Sequence, residues 1–178
     1  VSIIQTRSGV AFDILNPTAD MVELDDIAWS LSNICRFNGH CSRFYSVAEH
    51  SYVGALHMAG AFGRNMQRAF LLHDAAEAYI GDICRPVKLA LGPAVKEIEK
   101  AIQDAIHDRF DIGAIPSAHL GMIDDAMLVY EVRNVIRAPL VGEWPEMSDP
   151  PEIGVPLGVT PADAYQRFLG AAVMVGVE

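Results

Sequence analysis

The sequence predicts an all-α fold carrying a short N-terminal β-hairpin, and three observations support that expectation. Apolar residues recur at helical spacing along most of the chain, as in Ile27, Leu31 and Ile34, or Val95, Ile98, Ile102, Ala105 and Ile106. Helix-start signals stand before these runs: Ser46 three residues ahead of Glu49, Gly92-Pro93, and Thr160-Pro161. Alternation with a period of two is confined to residues 2–15, around Arg7-Ser8-Gly9, with Ile3, Ile4, Val10, Phe12 and Ile14 as inward positions.

Asn16-Pro17 ends the hairpin. Residues 23–35 follow as a helix with Asp25 and Asp26 in its first turn, stopping near Arg36-Phe37-Asn38-Gly39, where Gly39 permits a left-handed turn. Ser46 and Glu49 form a capping box that opens a helix to about Gly60. The next helix spans Asn65 to Tyr79 without a break, with Gly81 past its end. Pro86 opens a short helical piece, Gly92-Pro93 a long amphipathic helix, and Pro116-Ser117 another with Leu120, Ile123, Met127, Leu128 and Val135 on its apolar face. Residues 139–160 gather prolines with Gly142, Gly154 and Gly158 and read as an ordered loop or lid, before a last helix capped by Thr160 that runs to about Val175. Too little chain follows the loop to fold alone, so residues 1–178 read as one domain with an N-terminal arm at 1–19.

A chain of 178 residues, 51% hydrophobic and 20% charged, can bury a full core. No apolar run reaches the roughly 18 residues a membrane span needs, and VSIIQTRSGVAFDIL lacks the basic-then-apolar pattern of a signal peptide. Cys35, Cys41 and Cys84 are odd in number and match no CxxC spacing, which favours a reducing, cytoplasmic setting. A net charge of −10 opposes binding to a nucleic-acid polymer but not to a small anion held by a few placed cations. GxGxxG, GxSxG, HExxH and a glycine-rich lysine phosphate loop are all absent.

The chemistry concentrates in RAFLLHDAAEAYIGDICRPVK, residues 68–88. On a helix Glu77 falls four residues after His73 and three after Asp74, so these groups can address one spot, with Asp82 just beyond. An acid left unpaired among Leu71, Leu72, Ala75, Ala76 and Ala78 would be strongly destabilising, which a bound cation offsets; a core histidine bonded to an aspartate would offset it too. His107-Asp108 repeats the dipeptide on the polar border of an amphipathic helix, where solvation suffices. His50 falls in the first turn of the second helix, and Asp124 and Asp125 interrupt an apolar face further on; periodicity does not choose between them. Two imidazoles and two carboxylates suit a divalent first-row ion better than calcium, and such an ion turns a coordinated water into a nucleophile near neutral pH.

The order Arg36, His50-Ser51, His73-Asp74-x-x-Glu77 with Asp82, then Asp124 resembles the HD-domain phosphohydrolase superfamily, whose signature is H…HD…D on a helical fold. RFNGH, YSVAEHS and LLHDAAEAYIGDICRPVK resemble in particular the small members that act on deoxynucleotides, the dATP triphosphohydrolases and 5′-deoxynucleotidases. The likeness covers residues 20–137. It implies metal ligation by His50, His73, Asp74 and Asp124, the last chosen over Asp125 because Glu131 stands seven residues later as in these enzymes. It implies catalytic roles for Glu77 and Asp82 at the attacking water, and phosphate contacts from Arg36, Lys88, Arg85 and His40. Phe37, Tyr45, Tyr79 and Trp144 become candidates to border the base. His57 is expected in the core and His119 at the surface.

The resemblance further implies a Co, Mn, Zn, Ni or Fe ion, with Mg for the nucleotide phosphates, and a homo-oligomer, either dimer or hexamer. The leading expectation is a dNTP triphosphohydrolase, with dATP first. A 5′-deoxynucleotidase acting on monophosphates is the alternative. A phosphodiesterase would need further histidine ligands, for which His57 is the spare. A non-catalytic nucleotide-binding protein would usually have lost part of the ligand set, which is complete here.

Overall fold

A computed structural model of the protein describes residues 2–136, 139–141, 144 and 153–178. Its helices surround α2 (Val47–His57), which is buried from Val47 through Ala55 and so carries no polar face of its own. A helix buried all round must sit at the centre of its bundle. α1 (Leu24–Asn33), α3 (Arg64–Leu72), α7 (Ser117–Val135) and α8 (Pro161–Val175) pack against it. α2 approaches α3 closely because residue 54 is glycine: a Cβ there would fall 2.1 Å from Phe70 Cε1.

The hairpin pairs β1 (Ile3–Gln5) with β2 (Ala11–Asp13), Ile4 opposite Phe12. Phe12 is buried and stacks on Tyr79 at 3.7 Å between ring centroids. Ile3, expected inward, is instead 53% exposed, because in this register Ile4 shares the inner face with Phe12. The hairpin tip docks on α1, where Asp26 accepts from Ser8 N at 2.7 Å and Ser8 Oγ at 2.6 Å.

α1 ends at Asn33, earlier than the sequence suggests, because Cys35 pairs with Ser46 in a short bridge and Arg36 N–H donates to Tyr45 O at 2.8 Å. The tight turn Arg36–Gly39 then holds Phe37, Asn38 and Gly39 at φ of 55°, 50° and 78°. Two of these are not glycine, which stores strain beside the site described below.

Ser46 caps α2 by accepting from Glu49 N–H, but the reciprocal half of the expected capping box is missing. The Glu49 carboxylate turns away to Gly158 N–H at 2.7 Å and Val159 N–H at 3.3 Å. It thereby fastens the end of the Pro-rich segment to the central helix, so residues 158–159 are anchored rather than lid-like. Residues 142, 143 and 145–152 of the expected lid lie outside the described residues. α2 also stops at His57, and Ala59–Phe62 adds a short tight turn where a longer helix was expected.

The helix expected over residues 65–79 is broken. α3 ends at Leu72, residues 73–76 form a turn, and α4 (Glu77–Ile80) restarts. The side chain of Gln103 bridges the break: it accepts from Ala76 N–H at 3.3 Å and donates to Leu72 O at 2.7 Å, the two groups an unbroken helix would join directly. Gln103 belongs to α6 (Pro93–Arg109), which is seated by Ile102, Ala105 and Ile106 and packs against the exposed α5 (Arg85–Leu91). α8 starts at the expected cap, Thr160 accepting from Asp163 N–H. Among the described residues no helix is long and apolar enough to cross a membrane.

Candidate metal centre

Four side chains from three parts of the fold converge. His50 comes from the first turn of α2, His73 and Asp74 from the turn that follows α3, and Asp124 from α7. His50 Nε2 and His73 Nε2 lie 3.2 Å apart. Asp74 Oδ2 is 3.6 Å from the first and 3.3 Å from the second, and Asp124 Oδ1 is 3.4 Å and 3.8 Å away in the same order. Ligand atoms held roughly 2.1 Å from one ion at tetrahedral or octahedral angles stand about 3.0–3.4 Å apart; the separations of 3.2, 3.3 and 3.4 Å match this, and those of 3.6 and 3.8 Å are wider.

The tautomers strengthen the fit. His50 Nδ1 faces Glu131 Oε1 at 2.5 Å, and His73 Nδ1 faces Phe70 O at 2.6 Å. Both acceptors need a hydrogen, so both Nδ1 atoms carry one and both Nε2 lone pairs aim at the shared point. Two lone pairs at 3.2 Å repel unless a proton or a cation lies between them. Burial pushes the His73 pKa down, but the carboxylates of Asp74 and Asp124 prevail and lift it to about 9. Burial likewise opposes ionisation of Asp124, yet the two imidazoles and Arg36 hold its pKa well below the ordinary range. The group His50, His73 and Asp74 could hold a divalent metal ion, and Asp124 Oδ1 lies beside both of its imidazoles.

Behind these ligands lies Glu131, wholly buried on α7. It accepts from His50, from Tyr45 Oη at 2.8 Å and from Arg36 at 3.2 Å. Burial would raise its pKa, but the charges of Arg36 and His50 outweigh that and lower it. Arg36 spans from Glu131 to Asp74, 3.3 Å away, so much of its guanidinium serves the fold. Each terminal nitrogen has a second N–H beyond those bonds.

Glu77 and Asp82 form an acidic wall beside the centre. Burial, then Asp74 and Asp82, push Glu77 up to about 9, and its Oε2 is buried without a partner. Asp82 is also raised, mainly by burial and against the pull of Arg36. Lys88 Nζ lies 3.8 Å from Glu77 Oε1 and donates to Glu99 at 2.6 Å, a partner the sequence did not suggest. Arg85 and His40 are exposed, at the start of α5 and past the Arg36 turn. Phe37 is half-buried, its ring 5.6 Å from the Arg36 guanidinium.

Two aromatic expectations fail. Tyr45 has no exposed surface and spends its hydroxyl on Glu131, so it braces His50 rather than bordering a base. Tyr79 is stacked under Phe12 against the hairpin. Trp144 donates to Val141 O, between stretches that lie outside the described residues. The dipeptide at His107-Asp108 is also only half as expected: Asp108 is exposed, whereas His107 is half-buried and bonded to Gln103 at 2.9 Å. Its signal was a lone polar position, Gln103, between the buried Ile102 and Ile106.

No family model matches the chain. Uncharacterized protein RCAP_rcc00048 of Rhodobacter capsulatus is 39% identical over 113 residues, covering 61% of this chain and 58% of that protein. Uncharacterized protein YfdR of Escherichia coli (strain K12) is 34% identical over 171 residues, covering 95% of this chain and 93% of its own. That likeness extends over the helices carrying His50, His73-Asp74 and Asp124, and the chain belongs to the family of YfdR.

Proposed function

We propose that this protein is a metal-dependent phosphohydrolase of the HD type that hydrolyses deoxynucleotides in the cytoplasm, with a dNTP, dATP first, as substrate. The observation that supports the reading is that Asp74 and Asp124 each place a carboxylate oxygen within 3.8 Å of Nε2 of both His50 and His73, beside an acidic pair and a lysine. These residues would hold a Mn, Co, Ni, Zn or Fe ion, which when bound would supply activation of a water and polarisation of a phosphoryl oxygen.

The chain's own residues supply the rest. Lys88, and the outward N–H groups of Arg36, attract and orient the phosphate chain, with Mg on the outer phosphates. Asp82 takes a proton from the attacking water, and Glu77, which burial keeps protonated, returns one to the leaving oxygen as its bond to phosphorus breaks. Phe37 lines the approach. A triphosphate attacked at its α-phosphorus yields the nucleoside and tripolyphosphate when the bond to the 5′ oxygen breaks, or the nucleoside monophosphate and pyrophosphate when the bond to the β-phosphate breaks. A monophosphate yields the nucleoside and phosphate.

Incubation with nucleoside mono-, di- and triphosphates and each ion in turn, products resolved by chromatography, separates these outcomes. Asp74→Ala should remove turnover at least a thousandfold; retained hydrolysis in that variant rejects the metal centre as the seat of the reaction. The same preparation under light scattering tells a dimer from a hexamer.

A further inference from the structure

His73 Nε2 and Asp74 Oδ2 lie 3.3 Å apart. Their backbone is a tightened stretch of helix, in which Ala75 N–H reaches Leu72 O and Glu77 N–H reaches Asp74 O. The bond that an unbroken α-helix would close between Ala76 N–H and Leu72 O is replaced there by a side chain from another helix. The Gln103 carbonyl accepts from Ala76 N–H, and its amide donates to Leu72 O. One hydrogen of the amide remains, and His107 Nε2 receives it at 2.9 Å. Reversing the amide would set carbonyl against carbonyl at Leu72 and N–H against N–H at Ala76, so its orientation is fixed. His107 must therefore be neutral at Nε2, with its proton on Nδ1.

We infer that Gln103 and His107 are a positioning pair for the metal centre: Gln103 bridges the helix ladder at Leu72 and Ala76 and so holds the backbone on either side of His73 and Asp74, and His107 holds Gln103 in place. The inference rests on the metal-centre reading but not on any substrate. Both residues sit on α6, whose buried Ile102, Ala105 and Ile106 seat it in the core. The wedge is thus fixed independently of the helix it divides. Neither residue touches the ion; they act through the backbone on either side of the ligands.

The test is the affinity of the metal-free protein for Mn2+ and Zn2+, measured by competition with a chelating dye. Gln103→Met keeps side-chain length and removes all three hydrogen bonds, and should weaken binding ten- to hundredfold, as roughly seen for lost outer partners of metal ligands. His107→Leu should weaken it less, and the double variant should be no weaker than Gln103→Met alone. Val175→Ala, a core truncation in α8, controls for lost stability and should leave the affinity unchanged. If Gln103→Met does not fold, Gln103→Glu is measured instead; it keeps the acceptor for Ala76 and loses the donor to Leu72. Affinity within twofold of the parent in the Gln103 variant, or independent effects of the two substitutions, overturns the pair while leaving the centre intact. A parent that binds neither ion overturns both.

Discussion

His50 Nε2 and His73 Nε2 point at each other across 3.2 Å, and each ring has its other nitrogen committed to an acceptor. Neither imidazole can turn away without abandoning Glu131 or Phe70 O. The arrangement is therefore built to share something positively charged, and its consequences can be measured.

Metal removal should destabilise the protein. At a free ion concentration a hundredfold above Kd, binding to the folded state alone adds about 2.7 kcal/mol. For a domain of this size that corresponds to roughly 5–10 °C in Tm. Thermal melts with and without a chelator should show the difference. Asp74→Asn should melt at the same temperature in both conditions, and a persistent ion-dependent rise in that variant would mean that the ion binds elsewhere.

Glu131→Gln tests the buried brace. The carboxylate serves His50, Tyr45 and Arg36 at once, with no exposure to water. A neutral amide keeps one acceptor but turns its NH2 toward a donor, leaving Arg36 under-compensated. Loss of a buried charge partner typically removes about 3 kcal/mol, and loss of a histidine's outer partner weakens metal binding roughly ten- to hundredfold. Denaturant melts and dye competition should both move. Unchanged affinity would mean that the Nδ1 contact does not orient His50.

Gly54→Ala sets two effects against each other. Helix propensity favours alanine by about 1 kcal/mol. The added methyl would lie 2.1 Å from Phe70 Cε1, however, and overpacking of this kind typically removes about 1–3 kcal/mol. Phe70 cannot yield freely, since its ring packs on His73 at 4.2 Å and on His50 at 5.5 Å between centroids. The clash should win, lowering Tm by several degrees and weakening the metal site together. A variant as stable as the parent would show that α2 and α3 can separate without loss.

How far the sequence revealed this site depends on which level of structure made each part. An acid pair inside LLHDAAEAY announces a polar centre, because burial without a partner would be so unfavourable. Asp124 emerged over Asp125 only through family resemblance and the position of Glu131. The break at 73–76 leaves no local trace: the segment is rich in alanine and leucine, and a residue 27 positions beyond Ala76 bridges it. Tyr45 and Tyr79 illustrate a similar limit, since an aromatic ring suits a core and a base pocket equally. Phe37 adopts backbone angles that its own preferences disfavour, so the strained part of the turn at Arg36 was not legible, although Asn38 and Gly39 both suit a left-handed backbone.

His107 offers a pH test remote from the ligands. Burial lowers its pKa below 6.5, and Lys100 adds to this, while Asp104 and Asp108 pull the other way. A histidine whose folded pKa is depressed contributes stability that is complete above about 6.5 and declines as pH falls through that value, because the unfolded chain takes the proton first. Protonation also removes the acceptor that Gln103 uses at 2.9 Å. Glu49, raised to about 7, and Glu77, raised to about 9, both chiefly by burial, act in the opposite sense and gain on acidification. The difference between parent and His107→Leu isolates the histidine from these. In chelator, the parent should lose more Tm than the variant between pH 7 and pH 5. Parallel curves would show that His107 takes up its proton without disturbing the Gln103 wedge.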